Sequence, residues 1–439
     1  MIRKRLLSGG IWALTGRGIG IISGLTVNAL LARLLSPEEM GAYFLTMSVA
    51  VVASTLGQFG MPPAVVRFVA ESLGRDEQVR ARKVVLSAMV ICVLAGGVMS
   101  LIYAAGLGTW ISNDLFHSDM MHKVTTWISV LLFILVLQGL LAEVFRGFHD
   151  IKLASLLGNV STSLFSALAF FVLWVLNEHG DIRLALQLST GAAALTVVVS
   201  LLMLFPRLGH LHGKGTITMK ELMRTGWPLC VSSVTVLFAV QGDLWVVGAM
   251  LGERDAAVYG ATLRLLAMMT MFHGLVVSVV QSTVAELHGQ GNPEKIQQIV
   301  QNAAFWACLL AGGVFLGFVL LGKPLLGWVF GDIYRQGYVL LLILALGQFS
   351  GMLLGPAGMV MMMTGHQQAM MWIIVINASV GLVLAMILAP YFGLMGVAIS
   401  WSIASLLQGG SSWWIANRTT GIHCHASWRV IRDKQRIET

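Results

Sequence analysis

The stretch VVLSAMVICVLAGGVMSLIYAAGL (residues 84–107) decides the class of fold, because 24 consecutive residues carry no charged side chain. A helix rises about 1.5 Å per residue, so about 20 such residues cross a hydrocarbon core of about 30 Å. Similar stretches recur along the chain and predict an all-α membrane protein of about twelve transmembrane helices. We place them near residues 9–31, 41–60, 84–107, 124–141, 153–175, 184–204, 227–251, 256–281, 303–321, 338–354, 370–388 and 394–415.

The composition excludes an ordinary soluble domain and gives the orientation. Hydrophobic residues make up 57% of the chain and charged residues 11%, against roughly 25% charged in soluble domains. With the N-terminus inside, 20 of the 28 Lys and Arg residues fall in segments on the cytoplasmic side. Positive loops stay inside, so we expect both termini to be cytoplasmic. The net charge of +8 then faces anionic membrane lipids, and no nucleic-acid partner is expected.

An internal repeat divides the chain. LLSPEEMGAY (residues 34–43) matches MLGERDAAVY (250–259) at an offset of 216, AESLG (70–74) matches AELHG (285–289) at 215, and Asn159 falls on Asn377 at 218. Repeated halves are typical of transporters. We expect two six-helix pseudo-repeat lobes, residues 1–205 and 225–416, joined by a cytoplasmic linker at 206–224 and followed by a basic cytoplasmic tail at 417–439.

Charged residues inside the predicted spans are the first candidate functional groups, because each costs several kcal/mol in lipid unless it is paired or faces water. Asp243 and Arg264 lie about ten residues either side of the turn near Gly252, at the same predicted depth, and Arg17 lies inside the first helix. We expect an Asp243–Arg264 ion pair or a shared polar network. It either fixes helix register or belongs to an aqueous cavity that, with Arg17, suits an anionic headgroup.

Uncharged polar residues and an inner charged group complete the candidates. Asn28, Asn159, Gln241 and Asn377 are cavity candidates that would hydrogen-bond sugars, although interhelical hydrogen bonding is the alternative for each. Three charged residues near the inner ends of helices, Arg67, Glu143 and Arg146, would form an inner gate or a solvated interfacial ion pair.

The chain shows no signature of an enzyme, a metal site or a cofactor. It has no Walker A loop, no GxSxG and no HExxH motif, and no predicted loop is long enough to fold as a catalytic domain. Metal-binding residue types occur at two places, each without a complete ligand set: His210/His212 and His423/Cys424/His425. We therefore expect a protein that is not an enzyme and binds neither a metal nor a cofactor.

Three stretches resemble the Wzx-type oligosaccharide flippases, in the superfamily that also holds multidrug antiporters and peptidoglycan-precursor flippases. They are GGIWALTGRGIGIISGLTVNALLARLLSPEEMGAYFLTMSVA (9–50), QGDLWVVGAMLGERDAAVYGATLRLLAMM (241–269) and AELHGQGNPEKIQQIV (285–300). Asp243, Gly248 and Gly252 fill the family's D-x-x-x-x-G-x-x-L-G pattern. The chain departs from the family at STVAEL (282–287), where a Pro-Arg pair often stands.

The resemblance implies a V-shaped bundle of two lobes with a basic central cavity, in the bacterial inner (plasma) membrane. It implies alternating access that carries an undecaprenyl-pyrophosphate-linked oligosaccharide, driven by H+ or Na+ rather than ATP. Asp243 is then the coupling candidate, and polysaccharide polymerase and chain-length proteins are possible partners. The glycan, the coupling ion, the resting conformation and the oligomeric state stay open.

Two other functions compete with the flippase. A multidrug antiporter of the same fold would need an aromatic, acidic cavity, whereas the predicted spans hold more Arg than acid. A membrane glycan polymerase or ligase would need a large periplasmic loop, and the predicted outer loops are short. A purely structural protein would not need charges at mid-membrane depth.

Overall fold

The computed structural model describes residues 2–176, 180–209 and 217–426, with side chains from residue 18 onward except at residues 159, 275, 278, 279 and 282. These ranges contain helices and no strands. The helices are α1 (Ile2–Leu34), α2 (Pro37–Gly57), α3 (Met61–Gly74), α4 (Gln78–Ile102), α5 (Gly108–Trp110), α6 (Asp119–Lys123), α7 (Thr125–Gly147), α8 (Ile151–Ser155), α9 (Ser161–Val175), α10 (Ile182–Gly209), α11 (Met219–Met250), α12 (Glu253–Gly289), α13 (Pro293–Phe330), α14 (Tyr338–Leu353), α15 (Ala357–Met363) and α16 (Gln367–Thr420). π-Helical turns occupy Tyr103–Leu107, Ile111–Leu115 and Leu156–Val160, and a 3-10 helix occupies Asp332–Gly337.

All twelve predicted spans are helical, and the predicted membrane architecture is confirmed. Within the described ranges, nine helical segments are long and apolar enough to cross a bilayer, and the described part of α1 adds a shorter apolar helix. The longest of them, α16, has 54 residues, or about 80 Å at 1.5 Å per residue, which is more than twice a hydrocarbon core. A break at Gly393 (φ 57°) divides it into the two predicted spans 370–388 and 394–415. The span predicted at 256–281 lies within α12.

The chain forms two compact units. Unit 1 holds Met1–Gln241 and Gly252–Ala257, and unit 2 holds Gly242–Leu251 and Val258–Thr439. In unit 1, α7 packs against α2, α3, α4 and α10. The apolar windows of α2 and α7 are 78% and 61% buried, whereas that of Gln78–Leu115 is 28% buried. The first two are therefore the core of unit 1, and the third leaves most of its apolar surface for lipid.

Unit 2 is built on α13, α14 and the two arms of α16, which pack side by side, with the short α15 against α16. A cluster of buried apolar side chains joins the end of α12 to α13, α15 and α16 at one end of this unit. The predicted lobe boundaries at residues 205 and 225 stay predictions.

The repeated segment LLSPEEMGAY contains the start of α2, which is closed by a helix cap. Ser36 and Glu39 form a capping box, in which Ser36 N–H donates to Glu39 Oε2 (2.9 Å) and Glu39 N–H donates to Ser36 Oγ (3.2 Å). This arrangement satisfies two of the N–H groups that a helix start leaves without partners. The matching segment of the second half starts α12 at Glu253, after Gly252 with a φ of 94°.

Candidate functional site

Asp243 is a buried acid in the last third of the helix α11. It lies on α11 with 1% of its surface exposed. Its Oδ1 accepts a hydrogen bond from the Leu244 N–H (2.8 Å), and its Oδ2 accepts one from the Tyr259 hydroxyl (3.1 Å). Burial of a carboxylate is unfavourable unless donors replace water, so these two donors make the position tenable.

Tyr259 was not among the residues singled out from the sequence, although the repeat marks its position. It aligns with Tyr43 at the offset of 216, and the two side chains are 0% and 5% exposed. In the first half, the Tyr43 hydroxyl is hydrogen-bonded to the Ser189 hydroxyl (3.0 Å) on α10. Both halves thus bury a tyrosine at the same repeat position, and in the second half its hydroxyl donates to an ionisable group.

Arg264 and Tyr259 lie on different faces of α12. The side chain of Arg264 is exposed, whereas the side chain of Tyr259, also on α12, donates a hydrogen bond to Asp243. Successive residues are turned by about 100° around a helix, so Arg264 points about 140° away from Tyr259. Equal distance from the turn near Gly252 does not determine which face of α12 carries Arg264. The structure thus gives Asp243 a hydrogen bond from Tyr259, and the Asp243–Arg264 ion pair stays a prediction.

The polar cavity candidates divide into those with local partners and those that the structure does not describe. The side-chain amide of Asn28 donates to the Gly24 carbonyl one turn earlier (2.6 Å). Asn377, 7% exposed, donates to the Ile373 carbonyl (2.7 Å) and to Ser411 Oγ on the other arm of α16 (3.3 Å). Gln241 is half-buried, two residues before Asp243. The side chains of Arg17 and Asn159 lie outside the described part of the chain.

A buried chain of polar groups crosses unit 1 at a π-helical turn. Gln138 on α7 donates to the Gly158 carbonyl in the turn Leu156–Val160 and to Thr162 Oγ1 (2.8 Å), and Thr162 donates to Thr196 on α10 (2.9 Å). The Gln138 Oε1 is buried without a partner among the described residues. Such turns free carbonyls from the helical ladder and are frequent at functional sites. A π-helical turn leaves no signal in the sequence, so this arrangement could not be predicted from it.

The predicted inner gate is only partly assembled. Arg146 pairs with Glu143 at 2.7 Å, three residues away on α7, whereas the Arg67 guanidinium lies 5.6 Å from the ring centre of its neighbour Phe68. The structure thus joins two of the three candidates, and both lie on one helix. An exposed pair at this spacing contributes little to stability.

A more connected ionic group lies around Arg80, which the sequence identified only as one of many basic residues. Its guanidinium lies within 4 Å of Glu71 (3.7 Å), Glu77 (3.2 Å) and Glu221 (3.7 Å), and its side chain is 12% exposed. These contacts join α3, the start of α4 and the first turn of α11. Ion-pair networks with a half-buried centre are less screened by salt than isolated surface pairs.

Acids gather where α12 begins, outside the predicted span 256–281. Ser118 donates a hydrogen bond to Glu253, and a Cβ atom added to Gly41 would lie 1.7 Å from the Glu253 carbonyl oxygen. Burial raises the pKa of the Glu253 carboxyl, the negative charges of Glu38 and Asp119 raise it further, and the Ser118 hydrogen bond opposes them. The folded chain therefore favours the neutral form of Glu253 more than water does.

Metal-binding residue types do not gather in the described ranges. Within them, no group of three or more His, Cys, Asp or Glu residues is placed to hold an ion. His423 and His425 lie with their rings 6.0 Å apart, and Cys424 between them is buried. His210 and His212 lie outside the described residues.

Comparison with known families and sequences gives a consistent result. A family model described as "Polysaccharide biosynthesis protein" matches residues 6–281, more than half of the chain, and the MatE model matches residues 228–387. The chain is 22% identical over 433 residues to a Shigella flexneri protein named "Putative O-antigen transporter", covering 95% of this chain and 99% of that one. It is 23% identical over 177 residues to a Haloferax volcanii "Probable low-salt glycan biosynthesis flippase", covering 40% and 37%.

Solved structures give the fold. A multidrug resistance transporter of the MATE family, in an inward-facing conformation, superposes with a TM-score of 0.76 at 16% identity, covering 94% of this chain and 98% of that chain. A MOP superfamily transporter from Pyrococcus furiosus, described as having a binding pocket of reverse polarity, gives 0.62 at 16% identity over 95% and 96%. At this identity the likeness shows the fold alone.

Proposed function

Because the chain belongs to the polysaccharide biosynthesis protein family, we propose that it is a lipid-linked oligosaccharide flippase. It translocates an undecaprenyl-pyrophosphate-linked oligosaccharide across the bacterial inner membrane by alternating access, during O-antigen or exopolysaccharide biosynthesis. The single observation that carries the proposal is the end-to-end similarity to the Shigella flexneri protein, which covers 95% of this chain and 99% of that one. The family model supports it independently.

The pyrophosphate and the sugars need different groups. In our proposal Arg17 and Arg264 attract the pyrophosphate, because guanidinium groups bind phosphate oxygens bidentately. Asn28, Asn159, Gln241 and Asn377 contact the sugars. The amide nitrogens of Asn28 and Asn377 are engaged within the protein, so these two residues would offer their side-chain oxygens as acceptors for sugar hydroxyls.

The coupling to an ion gradient is assigned to Asp243. We assign a proton as the coupling ion, because Asp243 is a single buried carboxylate and, among the described residues, no group of three or more His, Cys, Asp or Glu is placed to hold an ion. Loss of the proton would leave a charge that favours a hydrated state of the site. Uptake and release of the proton thereby bias two conformations.

The remaining assignments concern the inner side of the membrane. Arg67, Glu143 and Arg146 are assigned to an inner gate that opens when the Glu143–Arg146 pair exchanges its partner. Both termini are assigned to the cytoplasm, where the basic segments meet anionic lipid headgroups. The polymerase and chain-length proteins that extend the glycan are the partners expected for such a flippase.

A cation-coupled multidrug antiporter is the second candidate, and the MatE match over residues 228–387 favours it. A drug antiporter requires acidic groups for cationic ligands, and Asp243 is engaged by two donors. A glycan polymerase or ligase is a weaker candidate, because the helix connections that the structure describes are short.

Complementation tests the proposal directly. A strain that lacks its O-antigen flippase should regain surface polysaccharide when it expresses this chain, and lose it again with Arg17→Ala combined with Arg264→Ala. The control is Arg75→Ala, because Arg75 is 62% exposed in a local pair with Glu71, and it should complement fully. Full complementation by the double variant would overturn the role of the basic groups. If Asp243→Asn transports with unchanged pH dependence, the proton-coupling assignment is wrong.

A further inference from the structure

The last described residues of the chain fold back onto unit 2. Residues 421–426, here called the strap, follow α16 after Gly421, whose φ of 69° turns the chain. Ile422 is 3% exposed and Cys424 is 0% exposed, and both belong to the apolar cluster with α12, α13 and α15. Because these two side chains are part of the packed cluster, the strap docks at one defined place on unit 2.

The strap docks at a broken helix. The α14 helix ends at Leu353 and α15 begins at Ala357, so residues 354–356 interrupt the path. In a continuous helix the Leu353 carbonyl would accept from the Ala357 N–H, but that N–H donates to the Gly355 carbonyl (2.8 Å). The Ala426 N–H of the strap donates to the Leu353 carbonyl instead (3.2 Å). The strap thus supplies the donor that the break removes.

Two further contacts hold the strap in place. The Gln297 side-chain oxygen on α13 accepts a hydrogen bond from the His423 N–H (3.1 Å). Gly355, with a φ of 79°, lies so close that an added Cβ atom would meet the Cys424 carbonyl oxygen at 1.8 Å. Only a glycine admits both this backbone angle and this approach. The break and the strap therefore fit each other at the level of the backbone.

The repeat shows that this break is a feature of the second half. At the offset of 218, residues 353–356 fall on residues 135–138, inside the uninterrupted helix α7. Broken helices in transporters occur where the chain lines the substrate path. In the first half the matching carbonyl, that of Leu135, lies in a continuous helix and accepts a side-chain hydrogen bond from Gln58 (3.4 Å).

The docked strap is also imperfectly satisfied. The His425 and Trp413 rings lie 6.3 Å apart, and His425 Nδ1 and Trp413 Nε1 are both buried without partners among the described residues. Unpaired buried polar atoms are unfavourable by about 1–3 kcal/mol each. The strap is held by two hydrogen bonds from its backbone N–H groups and by two apolar side chains, while the unpaired atoms disfavour the docked state. Segments with so few contacts are among the first parts of a protein to unfold locally.

From these contacts we propose that residues 421–426 are a releasable lock on the break between α14 and α15. Docked, the strap holds α14, α15 and α13 together at the end of unit 2. Released, it frees the break to bend as the transporter changes conformation. The release step rests on the proposed function, whereas the docking does not.

Cys424 gives a direct probe of docking. It is buried, burial raises the pKa of its thiol to about 12, and the thiolate is the reactive form. The test uses the full-length chain in membranes with Cys92, Cys230 and Cys308 replaced by Ala, and follows the rate at which a membrane-permeant maleimide labels Cys424. This variant, with Cys424 as its one remaining cysteine, is the parent protein for the substitutions below. If Cys424 in the parent protein is labelled as fast as a thiol in an unfolded chain, the strap is not docked and the proposal is overturned.

Variants separate the lock from general damage. Ala426→Pro removes the N–H that bonds Leu353, and we expect labelling to accelerate about tenfold, since a lost hydrogen bond corresponds to about one order of magnitude. Ala426→Ser keeps the N–H and should label like the parent. If Ala426→Pro does not fold, Gln297→Ala removes the other bond, with the exposed neighbour Gln298→Ala as its control. Equal rates in each pair would contradict the lock.

The release step is tested by adding undecaprenyl-pyrophosphate-linked oligosaccharide to the parent protein in proteoliposomes. We expect the labelling rate to change several-fold, and an unchanged rate while transport proceeds would overturn the release. A chain ending at residue 426 should transport, and one ending at residue 420 should not. If neither transports the oligosaccharide but Ala426→Pro still accelerates labelling, the proposed function fails while the docking stands.

Discussion

Removal of one hydroxyl, in Tyr259→Phe, isolates the interaction on which the assignment of Asp243 depends. The hydroxyl donates to Asp243 Oδ2 at 3.1 Å, and the two residues are 0% and 1% exposed. The carboxylate would lose a donor that water cannot replace without entering the core. We expect a loss of about 1–3 kcal/mol in stability, the range for leaving a buried polar group unsatisfied.

The repeat supplies the matched control. Tyr43→Phe removes the equivalent hydroxyl, whose partner is Ser189 Oγ at 3.0 Å. A serine hydroxyl can turn to a carbonyl of its own helix, so we expect a loss of only about 0.5–1.5 kcal/mol. The thermal midpoint of the purified protein, followed by size-exclusion chromatography after heating, measures both changes. A shift of about 2–4 °C accompanies each kcal/mol in a domain of 150–250 residues.

A double-mutant cycle makes the result decisive. Asp243→Leu alone leaves the Tyr259 hydroxyl buried without its acceptor, and Tyr259→Phe alone leaves the acid short of a donor. Replacing both partners by apolar groups removes both unsatisfied atoms, so the double variant should be less destabilised than the sum by about 0.5–3 kcal/mol. Additive losses, or equal shifts for Tyr259→Phe and Tyr43→Phe, would refute the assignment of Tyr259 as the partner of Asp243.

Three further predictions concern other parts of the chain. Gly41→Ala should lower the thermal midpoint by several degrees, because the new Cβ atom would lie 1.7 Å from a backbone oxygen and overpacking costs about 1–3 kcal/mol. Its control is Gly97→Ala, at a helical position where the added Cβ atom meets nothing within 4 Å. This control should leave the thermal midpoint unchanged or raise it. Burial raises the pKa of Glu253 above its ordinary value of 4.5, so its ionisation opposes folding. The free energy of unfolding should therefore fall as pH rises from about 4.5 through the raised pKa. Glu253→Gln should flatten this pH dependence, and the same pH dependence in the variant would contradict the prediction. Gln138→Leu removes the donor to Thr162 Oγ1 (2.8 Å) and should reduce surface polysaccharide in complementation more than it reduces the amount of protein in the membrane, whereas equal reductions would indicate a structural role.

Hydropathy predicted the fold well because the bilayer imposes it. Each apolar stretch of about 20 residues must form a helix that satisfies its own backbone, and the structure has a helix at each predicted span. The capping box at Ser36 and Glu39 was also predictable, because a cap depends on neighbours in sequence. The break at Gly393 was expected only as a gap between two spans.

The candidate site was harder to predict, because side-chain pairing depends on the face of a helix as well as on depth. Asp243 accepts a hydrogen bond from Tyr259, on a face of α12 that the distance from the turn could not predict. The chain of Gln138, Thr162 and Thr196 depends on a π-helical turn whose extra residue has no sequence signature. The contact of Ala426 with Leu353 joins residues far apart in the chain, which no local pattern encodes.

The central claim, that this chain moves a lipid-linked oligosaccharide, is tested most directly in proteoliposomes. Purified protein is reconstituted with a fluorescent undecaprenyl-pyrophosphate-linked oligosaccharide and an imposed pH gradient without ATP, and a membrane-impermeant quencher reports the leaflet that holds the label. We predict protein-dependent transfer between leaflets that Arg17→Ala combined with Arg264→Ala slows by at least about tenfold, the factor that corresponds to 1.4 kcal/mol. Transfer no faster than in empty liposomes, together with gradient-driven uptake of a cationic dye, would contradict the flippase and favour the antiporter.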